Sequence, residues 1–259
     1  MKSLWRGSLS FGLVNIPVQL FSATISHALD FDMLDKSDHA QIKYQRVNEK
    51  TGKEVPWSQI VKGYLLDREY VILDDTDFEQ ASPKKSKLIE IEEFVEISEI
   101  SSIFYETAYY IIPDKGNTKA YSLFLNALKK TGKAGVARFI MRSSENLALI
   151  QAGDNCMLLI KIRFQDEIRS TEELDLPVAD KFTKMEMDMA TDLIEQYSSP
   201  FDPAKFKNEY KNELLSIIHT KVSGKKSIIK KLKFPEITDS NLFEELKASL
   251  AVKRKLPAS

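Results

Sequence analysis

The chain has 259 residues, 43% hydrophobic and 29% charged, with a formal net charge of −1, a composition that excludes a disordered or fibrous protein. One cysteine, Cys156, excludes an internal disulfide and suits a reducing compartment. No apolar run approaches the roughly 18 residues of a membrane span, and the opening through Trp5-Arg6-Gly7 does not read as a signal peptide, so a cytoplasmic protein is expected. The small net charge conceals segregation. Tyr64 to Asp114 holds thirteen acids against four bases, whereas Lys205 to Lys233 holds nine lysines against two acids. Either two solvated faces differ in sign, or a basic surface awaits an anionic partner.

In chain order, Leu9, Phe11 and Leu13 alternate with Ser8, Ser10 and Gly12. That period predicts a strand with a core face and a face of very small residues that other backbone approaches closely. Pro17, which cannot donate to a ladder, bends or edges the chain before Val18 and Leu20 resume the alternation. Leu29, Phe31 and Met33, and then Ala40 to Val47, predict thinly apolar strands, an extended ribbon rather than a core layer. Asn48 to Lys53 is a turn in which Gly52 is free to take positive φ. Tyr70 to Leu73 is a short strand, and Asp74 to Ala81 a capped short helix. Leu88 to Ile97 carries apolar residues at 89 and 91 and, after a shift, at 94 and 95; Tyr105 to Ile112 is a strand stopped by Pro113.

Asn117 or Thr118 caps a helix with the stripe Ala120, Leu123, Phe124, Ala127 and Leu128, terminated at Gly132. Ala137, Phe139 and Met141 share one face of the next strand, Arg138 and Arg142 the other. In Cys156 to Phe164 the expected inward residues are Leu158, Ile160, Ile162 and Phe164, with Lys161 and Arg163 outward. Many short strands with one inserted helix predict an α+β, mainly β, fold around an antiparallel barrel. After Pro177 the period becomes helical, with Phe182, Met185, Met189, Leu193 and Tyr197 on one stripe. Asp202-Pro203 is read as the cap of a helix through Phe206, Tyr210, Leu214 and Ile218, ending near Gly224. A basic connector, Lys225 to Lys233, precedes a last helix from Asp239 or Ser240 and a tail with Lys253-Arg254-Lys255.

Catalytic signatures do not emerge. His27, His39 and His219 are scattered, Cys156 reads as a buried thiol, and the acid pairs Asp74-Asp75 and Glu92-Glu93 carry no acid–base spacing. There is no phosphate loop and no nucleophile elbow, so neither an enzyme nor a cofactor is expected. Basic residues do interleave with aromatics at Lys43-Tyr44, Arg46 and Lys62-Gly63-Tyr64, a pattern suited to phosphate.

Several stretches resemble bacterial Ku proteins: Trp5 to Val18, Glu54-Val55-Pro56 with Ile60 to Tyr64, Ile89 to Val95, Tyr109 to Gly116, Ala137 to Arg142, Asp166 to Arg169, Phe201-Asp202-Pro203, and Asn241-Leu242 with Leu246 to Leu250. The resemblance implies a homodimeric ring around duplex DNA ends that acts in non-homologous end joining, associates with the nucleoid and recruits an ATP-dependent DNA ligase. It implies three regions. Residues 1–175 would form the barrel with a bridge at about 28–70, residues 176–233 a helical arm for dimerisation, and residues 234–259 a short helix and basic tail. On that reading the DNA-binding cations are Lys43, Arg46, Lys50, Lys53 and Lys62 on the bridge, with Arg138 and Arg142 on the barrel; Arg138 reads equally well as a structural ion-pair partner. Readings of other classes are a one-sided nucleic-acid-binding barrel, a phage-type end protector of related fold, and a metal-dependent phosphoesterase. Many members of that family carry a His/Cys cluster suggestive of zinc. The matching positions here are Asp32, Asp35, Asp38, Asn48 and Thr51, so the bridge is expected to hold its turns by hydrogen bonds, without metal.

Overall fold

A computed structural model describes residues 1–26, 28–81, 87–116, 118–142, 144–176, 182–223 and 247. The opening alternation folds as a hairpin, with β1 (Trp5–Phe11) antiparallel to β2 (Val14–Ser22). Its loop is Gly12-Leu13, and Gly12 takes φ +56°, as a two-residue hairpin with glycine first requires. Leu9 is fully buried and Phe11 packs on the core, but Leu13 stands exposed at the loop tip, because the turn ends the strand before it. The close backbone approach also falls elsewhere than expected. A Cβ on Gly12 would meet nothing, whereas one on Gly7 would lie 2.1 Å from the Lys87 carbonyl oxygen and 2.3 Å from the Trp5 ring. That ring lies over Gly7, and its indole N–H donates to the Ile140 carbonyl at 3.0 Å.

From Ala23 the chain leaves the barrel, and no described residue between 24 and 87 is buried. Residues 28 to 60 form a ribbon held by isolated bridges, Leu34 with Gln41 and Val47 with Glu54, in place of the expected continuous strands. Its side chains have no layer to pack against, so nothing selects a longer ladder. β3 (Lys62–Leu66) and β4 (Glu69–Leu73) form a separate two-stranded sheet, followed by α1 (Asp75–Ala81). Asp74 caps α1 by accepting from the N–H groups of Thr76 and Asp77, which assigns one of the acid pairs to structure.

β5 (Leu88–Glu96) returns to the barrel and β6 (Tyr105–Pro113) follows. α2 (Thr118–Thr131), β7 (Lys133–Met141), β8 (Ser144–Ala152) and β9 (Met157–Ile162) complete it in the closed order β1-β2-β6-β9-β8-β7-β5. Six neighbouring pairs are antiparallel and one, β1 with β5, is parallel. Strand direction must return to itself around a closed ring, so the number of antiparallel pairs is even. Seven strands therefore need a parallel pair, one seam in the otherwise antiparallel barrel that the sequence predicts. The seam is short, Ser8 to Ser10 beside Leu88 to Glu90, and Gly7 supplies the clearance at its end. Pro17 lies opposite Ser8, just beyond the β2–β6 ladder that ends at Val18 opposite Pro113, so the donor it lacks is not needed there.

The interior holds Leu9, Ile16, Val18, Leu20, Ile89, Ile111, Ala137, Phe139, Ile150, Met157 and Leu159. β5 reaches its two apolar sets through a bulge between Ile91 and Glu93, the shift visible in its sequence. α2 packs Tyr121, Phe124 and Leu128 on this core and leaves Leu123 exposed, so the stripe is rotated from the expected one. Phe124 stacks on Phe11 at 4.3 Å. The Tyr121 hydroxyl donates to the Ile111 carbonyl at 2.6 Å and accepts from the Met157 N–H at 2.8 Å, joining the helix to β6 and β9; burial pushes its pKa up. Gly132, at φ +69°, ends the helix as expected, its N–H donating to Leu128.

β9 faces the reverse of its expected direction. Met157 and Leu159 point into the barrel, while Ile160 and Ile162 join Ala134, Leu149 and Phe104 in a smaller outer cluster. An apolar run with both faces covered gives no periodic clue to which is interior.

The chain divides into two units, Met1–Thr171 and Glu172–Ser259. In the second, α3 (Lys184–Tyr197) starts with a capping box between Thr183 and Glu186, and α4 (Glu209–Val222) is capped by Asn208. Asp202-Pro203 instead caps a single 3-10 turn, Pro203–Lys205, because Pro203 fits the first position of either helix type. Neither α3 nor α4 contains a buried residue. His27, Asn117, the basic connector, and the last helix and tail apart from Lys247 lie outside the described residues.

Candidate nucleic-acid interface

Lys43, Arg46, Lys50 and Lys53 all lie on the exposed ribbon, and Lys62 opens β3. The ribbon is shaped by two turns of matching design. In the first, the Asp35 N–H donates to the Ala40 carbonyl and the His39 N–H to the Asp35 carbonyl, both at 2.8 Å, with His39 at φ 58°. In the second, the Asn48 N–H donates to Lys53 and the Gly52 N–H to Asn48, again at 2.8 Å, with Gly52 at φ 65°. Side-chain oxygens repeat as well. Asp35 accepts from the Ser37 N–H and Asn48 from the Lys50 N–H, while Asp38 accepts from Ala40 and Thr51 from Lys53. The Asp35 carboxyl is held below its usual pKa by the Ser37 hydroxyl and then its N–H.

Those four oxygen-bearing residues, with Asp32, which accepts from the Gln41 side chain, match the positions at which the resemblance implies a zinc cluster. They do not fit one. Thiolate and imidazole are absent from these positions, and each of the four turn side chains spends an oxygen on a backbone N–H of its own turn. Among the described residues no group of three or more His, Cys, Asp or Glu is arranged for a metal ion.

The seven cations differ sharply in what surrounds them. The Arg46 guanidinium lies 4.7 Å from the centroid of the Trp57 ring, and the Lys62 ammonium 4.3 Å from that of Phe78. Among the described residues no carboxylate pairs with any of the five ribbon-side cations or with Arg142. Arg142 sits in the β7–β8 turn at φ 54°. Arg138 is the exception. Its Nε lies 2.8 Å from Glu92, the extra residue at the β5 bulge, and its Nη1 3.8 Å from Glu145. That arrangement matches the ion-pair reading of Arg138 and neutralises its charge on the barrel wall. Lys133 with Glu96 and Lys161 with Glu106 are paired similarly, both at 3.1 Å.

Trp57 and Phe78 were not legible as parts of the site. Trp57 comes eleven positions after Arg46 and reaches it only because the turn folds one arm of the ribbon back on the other. The signal available was the turn itself, which sets Val55 beside Arg46.

Fold and ribbon together define a closed β-barrel domain carrying an exposed excursion. The family model described as the Ku70/Ku80 beta-barrel domain matches residues 10–189. The chain is 40% identical over 254 residues to the non-homologous end joining protein Ku of Archaeoglobus fulgidus, covering 96% of this chain and 98% of that one. It is 39% identical to the protein of the same name from Opitutus terrae, covering 86% and 81%, and 35% identical to that from Bacillus subtilis, covering 96% and 82%. The chain belongs to the Ku family.

Proposed function

We propose that two copies of this chain form a ring around the end of duplex DNA and act in non-homologous end joining, delivering ends to an ATP-dependent DNA ligase. The observation that carries this reading is the chain-long similarity to proteins named for that process. The ribbon at about 28–70 serves as the bridge over the DNA, with Lys43, Arg46, Lys50, Lys53 and Lys62 facing phosphate and Arg142 adding to them from the barrel. Phosphate contacts carry no base information, so binding is independent of sequence and falls steeply with salt. No catalytic step is required of the chain.

Dimerisation through residues 176–233 and the β3–β4 sheet is favoured by what the single chain leaves bare. Tyr64, Tyr70, Ile72, Met185, Ile194 and Tyr210 are all more than half exposed. Apolar surface of that extent on helices and a sheet without buried residues is typical of an interface. The test is ligation of linear duplex by an ATP-dependent ligase with this protein added, alongside a solution mass. Stimulated joining and a mass about twice 29.6 kDa are expected. Inhibited joining would mark an end protector instead.

A further inference from the structure

We infer that Trp57 is a positioning residue for DNA binding: its ring is a shelf that presents the Arg46 guanidinium to a phosphate. The inference rests on the end-binding reading and goes beyond it in naming how a ribbon without a core aims its cation.

An arginine on an unpacked ribbon has a long, freely rotating side chain, and ordering it against a phosphate costs rotamer entropy. A carboxylate would order it too, but would occupy the N–H fork and cancel the charge, as Glu92 and Glu145 do for Arg138. An aromatic face orders the guanidinium while leaving its edge donors and its charge available. At Arg46 the aromatic face is the one the structure supplies, 4.7 Å from ring centroid to guanidinium carbon.

The shelf is tied to what it supports. The Val55 N–H donates to the Arg46 carbonyl at 2.8 Å, fixing the two arms side by side. Pro56, at φ −65°, then starts the 3-10 turn Trp57–Gln59, closed by the Gln59 N–H on Pro56 and the Ile60 N–H on Trp57. Trp57 is 72% exposed and belongs to neither core cluster, so core packing does not explain a tryptophan there. Lys62 over Phe78 repeats the device on the neighbouring sheet, with the ring carried by α1.

The test measures affinity for a blunt linear duplex across a salt series for the native protein, Trp57→Phe, Trp57→Ala, Arg46→Ala and the double variant Arg46→Ala/Trp57→Ala. Trp57→Ala should weaken binding about 2- to 5-fold for each chain on the duplex, and Trp57→Phe should restore most of it. Arg46→Ala should lower the salt slope by about 1 per chain, whereas Trp57→Ala should leave the slope unchanged, because the charge remains. In the Arg46→Ala background the loss of the ring should cost nothing further. There are two tryptophans, so a fluorescence change on DNA addition that disappears in Trp57→Phe reports the shelf directly. An equal loss from Trp57→Ala with and without Arg46 would overturn the inference in favour of direct ring contact or a folding defect. No loss in Trp57→Ala, where Arg46→Ala does weaken binding, would also overturn it. Failure of the native protein to bind linear duplex would instead sink the end-binding reading, and this inference with it.

Discussion

Tyr121 ties α2 to two strands of the barrel. Its hydroxyl satisfies one strand's carbonyl and another's N–H in a buried setting. Tyr121→Phe strands both groups and should cost about 1–3 kcal/mol, read from the urea midpoint at unchanged slope. A midpoint within error of the native value would contradict the role. Gly7 is the other sensitive residue. A Cβ 2.1 Å from the Lys87 carbonyl cannot be relieved by a side-chain rotation, so Gly7→Ala should open the seam and destabilise by about 3 kcal/mol. Gly12→Ala meets no atom and should cost only the strain of its positive φ, about 1 kcal/mol. Arg138→Gln, which removes a charge already paired, should leave the salt slope of DNA binding nearly unchanged; a fall equal to that of Arg46→Ala would return Arg138 to the interface.

Side-chain oxygens hold the ribbon's two turns at matching positions. A chelator should therefore leave tryptic cleavage at Lys50 and Lys53 unaltered, whereas Asn48→Ala, which removes the acceptor of the Lys50 and Thr51 N–H groups, should speed it. Faster cleavage of the native protein on chelation would contradict this. At α3, the Thr183 N–H and hydroxyl hold the Glu186 carboxyl below its usual range. A depressed carboxylate contributes at pH above its unfolded value and is lost as pH falls through the lower folded value. An NMR titration of Glu186 should give a midpoint below the ordinary glutamate range, and Thr183→Ala should raise it.

Local chemistry made much of this legible in sequence. The turn at Asn48, the Asp74 cap, the stop at Gly132 and the β7 faces each follow from a few adjacent residues. What escaped was set by partners distant in the chain. The β9 interior is decided by residues 97–105 covering its other side. The rotation of α2 goes with Tyr121, whose buried hydroxyl bonds to β6 and β9. The cation sites were legible as residue types, but Arg138's neutralisation needed the β5 bulge to bring up Glu92. The Arg46 shelf needed a register that no periodicity encodes.

Paired charges, cations without a carboxylate partner and exposed apolar residues fall in different stretches of the chain. Acidic residues of β5 face cations on the barrel, cations free of carboxylates gather on the ribbon, and the second unit exposes apolar helices. On the function proposed above, two such chains close into a ring, an assembly in which scattered phosphate contacts hold an end without reading bases. The direct test is binding to one duplex in linear form and as a covalently closed circle at equal salt and length. Retention on the linear form and little on the circle are expected, with the linear complex lost when both ends are blocked by bulky groups before the protein is added. Equal binding to both forms would contradict the ring.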